Sequence, residues 1–114
     1  MYEGREIADY LDDIRNAIAE VEEFTRGMTY ELFAADKKTV NAAIRSLEVL
    51  GEATKCIPMD FRMKHPDIPW SKMAGMRDVL IHDYMGINLR RVWTVIEHDL
   101  PQLRNAVEAL LGAD

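Results

Sequence analysis

The sequence predicts an all-α fold, a helical bundle, and three observations carry that reading. Apolar residues recur at three- and four-residue steps along most of the chain, as one face of a helix requires. No stretch alternates apolar and polar residues as a half-buried strand would. No internal repeat or low-complexity tract points to a solenoid or a linker. With 114 residues and 48% hydrophobic content, the chain fits one domain, residues 1–114, with enough apolar side chains for one core.

Ile7, Leu11, Ile14, Ile18 and Val21 form the first stripe, with Asp9, Asp12, Asp13, Glu20, Glu22 and Glu23 among the residues between them, and the spacing predicts a long helix ending near Gly27. The Thr29 hydroxyl can cap a short helical turn through Phe33. A second long helix is predicted from about Asp36 to Ile57, before Pro58, on a stripe of Val40, Ala43, Ile44, Leu47 and Leu50. Pro58, Pro66 and Pro69 then bracket a connector with room for at most a short helix around Asp60 to Lys64. Ser71 can cap a third helix carrying Met73, Met76, Val79 and Leu80, with Gly86 and Asn88 marking its exit and the start of the last. That last helix carries Leu89, Val92, Trp93, Ile96, Leu100, Leu103, Val107 and Leu110 to about Leu111. The spacing continues through Pro101, which reads as a kink or as the first position of a restarted helix.

Composition narrows the function classes. No run approaches the roughly 18 to 20 apolar residues of a spanning helix, and the acidic stretch from Met1 to Asp13 is unlike a signal peptide, so a cytoplasmic protein is expected. Cys56 is the only cysteine, which excludes an internal disulfide and a cysteine zinc cage. The net charge of −6 is unfavourable for a protein that handles polyanions, but it is unevenly spread. Residues 1–36 carry −7, residues 37–96 carry +4 and residues 97–114 carry −3. The middle segment, with Arg45, Lys55, Arg62, Lys64, Lys72, Arg77, Arg90 and Arg91, is where a polyanion would be tolerated, unless these are ordinary solvated helix charges.

Within that segment, Met76 to Tyr84 reads Met-Arg-Asp-Val-Leu-Ile-His-Asp-Tyr, an apolar run punctuated by a cation, an imidazole and a phenol. An imidazole titrates near neutral pH and a guanidinium matches phosphate geometry while keeping its charge, so Arg77 and His82 suit phosphodiester cleavage without a metal. At 100° per residue Arg77 and Tyr84 share a helix face, while His82 lies about 140° from Arg77. Either the helix breaks near His82, where Asp83 and Gly86 allow it, or a second protomer completes the site.

The arginine, four residues, histidine, one residue, tyrosine spacing resembles the signature of the HepT-like toxins of the HEPN ribonuclease superfamily. The block from Ala42 to Ala53, the flanks Ile68-Pro69-Trp70 and Ala74-Gly75-Met76, and the stretch from Asn88-Leu89 through Val92-Trp93 to Asp99-Leu100-Pro101 are similar to that family as well. The resemblance spans about Ile7 to Leu111. It implies an antiparallel HEPN-type bundle forming a two-fold homodimer, with the motif residues lining a shared cleft. It implies a metal-independent endoribonuclease with Arg77 and His82 as catalytic residues, Asp78 as their support, and no cofactor. It also implies a cognate minimal nucleotidyltransferase antitoxin as partner, with Tyr84 as the acceptor of its AMP groups. The alternative is a non-catalytic HEPN module that docks a nucleotidyltransferase or a nucleotide.

The remaining chemistry-bearing residues point nowhere specific. His65 and His98 lack a recognised ligand spacing with His82, so no metal site is expected. Arg45, Glu48 and Glu52 stand at three- and four-residue steps and either pair with one another or, on the family pattern, support the dimer cleft. The methionines at 28, 59, 63, 73, 76 and 85 read as core and interface filler, and Tyr2, Tyr10 and Tyr30 have no context like that of Tyr84.

Overall fold

The computed structural model describes residues 5–76 and 88–112. Among the described residues every regular element is helical, in the order α1 (Ile7–Thr25), α2 (Tyr30–Ala35), α3 (Lys37–Lys55), α4 (Met59–Met63), α5 (Trp70–Ala74), α6 (Leu89–Thr94), a π-helical segment (Val95–Asp99) and α7 (Leu100–Gly112). The all-α prediction holds.

Each boundary has a local cause. The backbone N–H of Glu6 donates to Asp9 Oδ2 at 2.8 Å, which opens α1 with a carboxylate in its first turn. The helix ends at Thr25, two residues short of Gly27, whose φ of +77° turns the chain while Met28 N–H closes on Thr25 O. Thr29 caps α2 as expected, its hydroxyl accepting from Leu32 N–H at 3.2 Å. Asp36 closes α2 through its own N–H to Phe33 O and caps α3 by accepting from the Thr39 N–H and hydroxyl.

α1 and α3 form the main packed pair. Ile14, Ile18 and Val21 are fully buried in one cluster with Ala43, Leu47 and Leu50, so the two predicted stripes meet. Burying each Leu or Ile of this seam contributes about 1.5–3 kcal/mol relative to leaving it exposed. Ile44, expected on the stripe, sits at its edge and is only partly buried. Ser46 donates to Glu20 Oε1 at 3.0 Å, a polar cross-tie between the helices. Buried Thr25 and Thr54 return their hydroxyl protons to the carbonyls of Val21 and Leu50, so neither leaves an unmet donor.

The proline-bounded connector holds α4, and from it Arg62 reaches back to the end of α3. Its guanidinium donates to Thr54 O at 2.8 Å, a carbonyl that also accepts the Ile57 N–H, and to Ile57 O at 3.1 Å, which ties the connector to the end of the helix. Contrary to the expectation that Ser71 caps the next helix, α5 starts at Trp70 with Pro69 at the cap position. The Trp70 indole N–H donates to His65 O at 2.9 Å, and its backbone N–H to Ile68 O at 2.8 Å, which fixes the cap and the helix start two residues earlier.

The irregularity at Pro101 is a π-helical segment, with α7 restarting at Leu100 and Pro101 as its second residue. Pro101 has no N–H to offer the Glu97 carbonyl, and its ring would crowd that carbonyl in a continuous α-helix. Widening the turn relieves the conflict, and Leu100 N–H bonds to Val95 O, five residues back. Val92, Trp93, Ile96, Leu100, Leu103 and Val107 remain buried on both sides of it. No helix among the described residues is long and apolar enough to cross a membrane.

Candidate functional site

Arg77, Asp78, His82 and Tyr84 lie outside the described residues, and so do Val79, Leu80 and Gly86. The structure instead defines the two flanks from which that segment departs and returns.

On the approach, Trp70, Met73 and Met76 are buried at three-residue steps, so the residue immediately before Arg77 is seated in the core. Phe61 backs this anchor, its ring 6.2 Å from that of Trp70 and 4.8 Å from His65. Between the buried positions, Lys72 extends to Asp99 Oδ2 at 3.0 Å and ties α5 to the end of the π-helical segment. On the return, Asn88 Oδ1 accepts from Arg91 N–H at 3.1 Å and starts α6, as predicted for Asn88. Both ends of the segment are thereby held by the same bundle.

Just beyond that return stands a pairing the sequence does not reveal. The Arg90 guanidinium lies over the Tyr30 ring, 3.8 Å from its centroid. One turn further along both helices, Phe33 and Trp93 are in ring contact at 5.1 Å. Tyr30 and Phe33 on α2 thus pair with Arg90 and Trp93 on α6 as two rungs, the inner one buried and the outer one reaching solvent through Arg90.

Arg45, Glu48 and Glu52 line one groove of about 450 Å³ between α1 and α3, together with Arg5, Tyr10 and Asp13. Arg5 pairs with Asp13 at 2.9 Å and stacks 4.7 Å over Tyr10; its hydrogen bond to Asp13 raises its pKa above the ordinary arginine value. Arg104 is raised for the same reason by its 2.6 Å bond to Glu22. His98 is exposed on the π-helical segment. Among the described residues no cluster of three or more His, Cys, Asp or Glu side chains could hold a metal ion.

Two long antiparallel helices, with a core-anchored α5 before the Arg–His–Tyr run of the sequence and a capped α6 after it, define a small all-α protein. The chain belongs to the family described as Ribonuclease HepT-like, which matches residues 14–110 and so includes the whole run. It is 52% identical to a protein of Thermococcus cleftensis named a probable ribonuclease HepT, over 90% of this chain and 93% of that one. It is 41% identical to a Methanocaldococcus jannaschii protein named a candidate RNase, over 94% of this chain and 88% of the relative. A Caldanaerobacter subterraneus protein named in the same way is also 41% identical, over 90% and 91% of the two chains. No solved structure matches the chain significantly. The family resemblance read from the motif and its flanks is borne out.

Proposed function

We propose that this chain is a single-domain, cytoplasmic, metal-independent endoribonuclease that acts as the toxin of a toxin–antitoxin pair. The observation that carries the reading is membership of the Ribonuclease HepT-like family across residues 14–110, with the Arg77, His82 and Tyr84 spacing inside the matched region. The 52% identity to a protein named a probable ribonuclease HepT supports it.

In this reading two copies of the chain form a two-fold dimer with a shared cleft. One His82 imidazole removes the proton of an RNA 2′-hydroxyl, whose oxygen attacks the adjacent phosphorus. The bond from phosphorus to the 5′-oxygen breaks, and the His82 of the second copy, as imidazolium, protonates the leaving oxygen. Products are a 2′,3′-cyclic phosphate and a 5′-hydroxyl. Arg77 neutralises charge building on the phosphorane oxygens, and Asp78 orients Arg77 or His82. A cognate nucleotidyltransferase silences the site by transferring AMP to Tyr84.

The test is incubation of the purified chain with RNA in the presence of a chelator. Cleavage giving cyclic phosphate ends, lost in His82→Ala, supports the enzyme. Binding of RNA or of a nucleotidyltransferase without cleavage supports a docking module instead.

A further inference from the structure

The Tyr30–Arg90 rung has features that fastening α2 to α6 does not account for. The inner rung already does that work: Phe33 is wholly buried and Trp93 nearly so. Arg90 is exposed, and no carboxylate among the described residues pairs with its guanidinium. It also stands in the first turn of α6, which contains no acidic residue, where a cation opposes the helix dipole. Its position therefore works against helix stability. With its central carbon 3.8 Å from the Tyr30 ring centroid, the guanidinium is restrained by the ring while its N–H donors are not taken up by any carboxylate among the described residues, which suits it to an anion.

We infer that Arg90, oriented by Tyr30, binds a backbone phosphate of the RNA strand beside the cleavage motif. This rests on the ribonuclease reading above and adds to it a substrate contact outside the Arg77–Tyr84 run. Arg90 is only six residue steps along the chain from Tyr84, so covalent reach alone keeps them within about 20 Å. A strand held at the motif then has phosphates within range of Arg90. A bidentate guanidinium–phosphate contact reads no base, so the contribution is to affinity and strand placement and not to sequence choice. Tyr30 is a positioning residue in this scheme, acting through Arg90.

The experiment measures binding of a fluorescent, fully 2′-O-methylated single-stranded RNA oligonucleotide, which lacks the attacking hydroxyl and so cannot be cut, across a range of KCl concentrations. Arg90→Ala should weaken binding about tenfold, in the range of a lost charge-assisted contact. The slope of log affinity against log salt should fall by about 0.7, the share of one phosphate on a single strand. Arg90→Lys should keep the slope but not the full affinity, because it restores charge without the planar fork. Tyr30→Leu should weaken binding with the slope kept. With unmodified RNA, Arg90→Ala should raise KM and leave kcat near wild type. If the wild-type chain binds and cuts RNA while Arg90→Ala, correctly folded by circular dichroism, matches its affinity and salt slope, this inference is overturned and the ribonuclease reading stands. If the wild-type chain neither binds nor cuts RNA, both are overturned.

Discussion

Phe33 and Trp93 meet with their ring centroids 5.1 Å apart and their planes inclined by 35°, the one aromatic pair that joins the short α2 to the helix returning from the motif segment. α2 has only six residues and cannot hold its shape by its own hydrogen bonds. Its order depends on Phe33 reaching the core. Phe33→Ala should therefore cost about 3–5 kcal/mol, the usual range for emptying a buried aromatic site. Urea unfolding followed by circular dichroism measures it, and a loss below about 1 kcal/mol would show that the site collapses around the gap.

The Asp36 cap gives stability a pH dependence with a definite sign. Its carboxylate lies below the ordinary aspartate pKa, first because the Thr39 backbone N–H donates to the ionised form and next because the Thr39 hydroxyl does. A lowered folded pKa means that the contribution is fully present above the unfolded value, near about 4, and disappears as pH falls through the folded one. Asp36→Asn keeps an acceptor at the cap but cannot titrate. The melting temperature of the wild type should thus fall relative to that of Asp36→Asn as pH drops from 5 to 2.5 (both about), and parallel curves would show that the cap does not depend on charge.

Much of the fold was legible because helical periodicity and capping act within a few residues. The stripes of α1 and α3, the Thr29, Asp36 and Asn88 caps and the short α4 all follow from neighbours in the chain. Ser71 failed as a cap because the Trp70 indole found a carbonyl at His65, and a tryptophan's partner is not written in its spacing. The π-helical turn lay between the two readings of Pro101: a proline announces a conflict, but how the surrounding core resolves it depends on packing. Family membership was legible in the motif and its flanks, whereas Tyr30 with Arg90 and Lys72 with Asp99 are contacts between distant parts of the chain and leave no local signal. For that reason the sequence offers no context that singles out Tyr30.

Within the proposed mechanism, Arg77→Ala and His82→Ala should each abolish RNA cleavage and growth inhibition with the helical signal unchanged. Removing a general acid–base group lowers rate by about 10² to 10⁴-fold. Cleavage at the wild-type rate by either purified variant would remove that residue from the mechanism.

The proposed shared cleft requires two copies. Light scattering at micromolar concentration should return twice the 13.1 kDa chain mass. Because His82 then acts in two roles, mixing an excess of His82→Ala chains with wild type should leave few active dimers, and activity should fall faster than the wild-type fraction. A monomer that cuts RNA, or activity strictly proportional to wild-type chain, would exclude the two-histidine scheme.

The proposed regulation through Tyr84 rests on its place two residues after His82 and, on a regular helix, on the face of Arg77. An AMP group on the Tyr84 hydroxyl would carry a phosphodiester, and its negative charge would give the Arg77 guanidinium a tethered phosphate in place of the substrate's. The tethered group competes at a far higher effective concentration than free RNA, so modification should inhibit even at saturating substrate. Incubation with the cognate nucleotidyltransferase, ATP and Mg²⁺ should add one or more AMP masses mapping to Tyr84 and reduce cleavage in step with occupancy. Tyr84→Phe should block the addition and stay active in the enzyme's presence, since it keeps Arg77 and His82. Adducts on Tyr2, Tyr10 or Tyr30, or a fully modified chain that cuts RNA at the unmodified rate, would exclude this form of control.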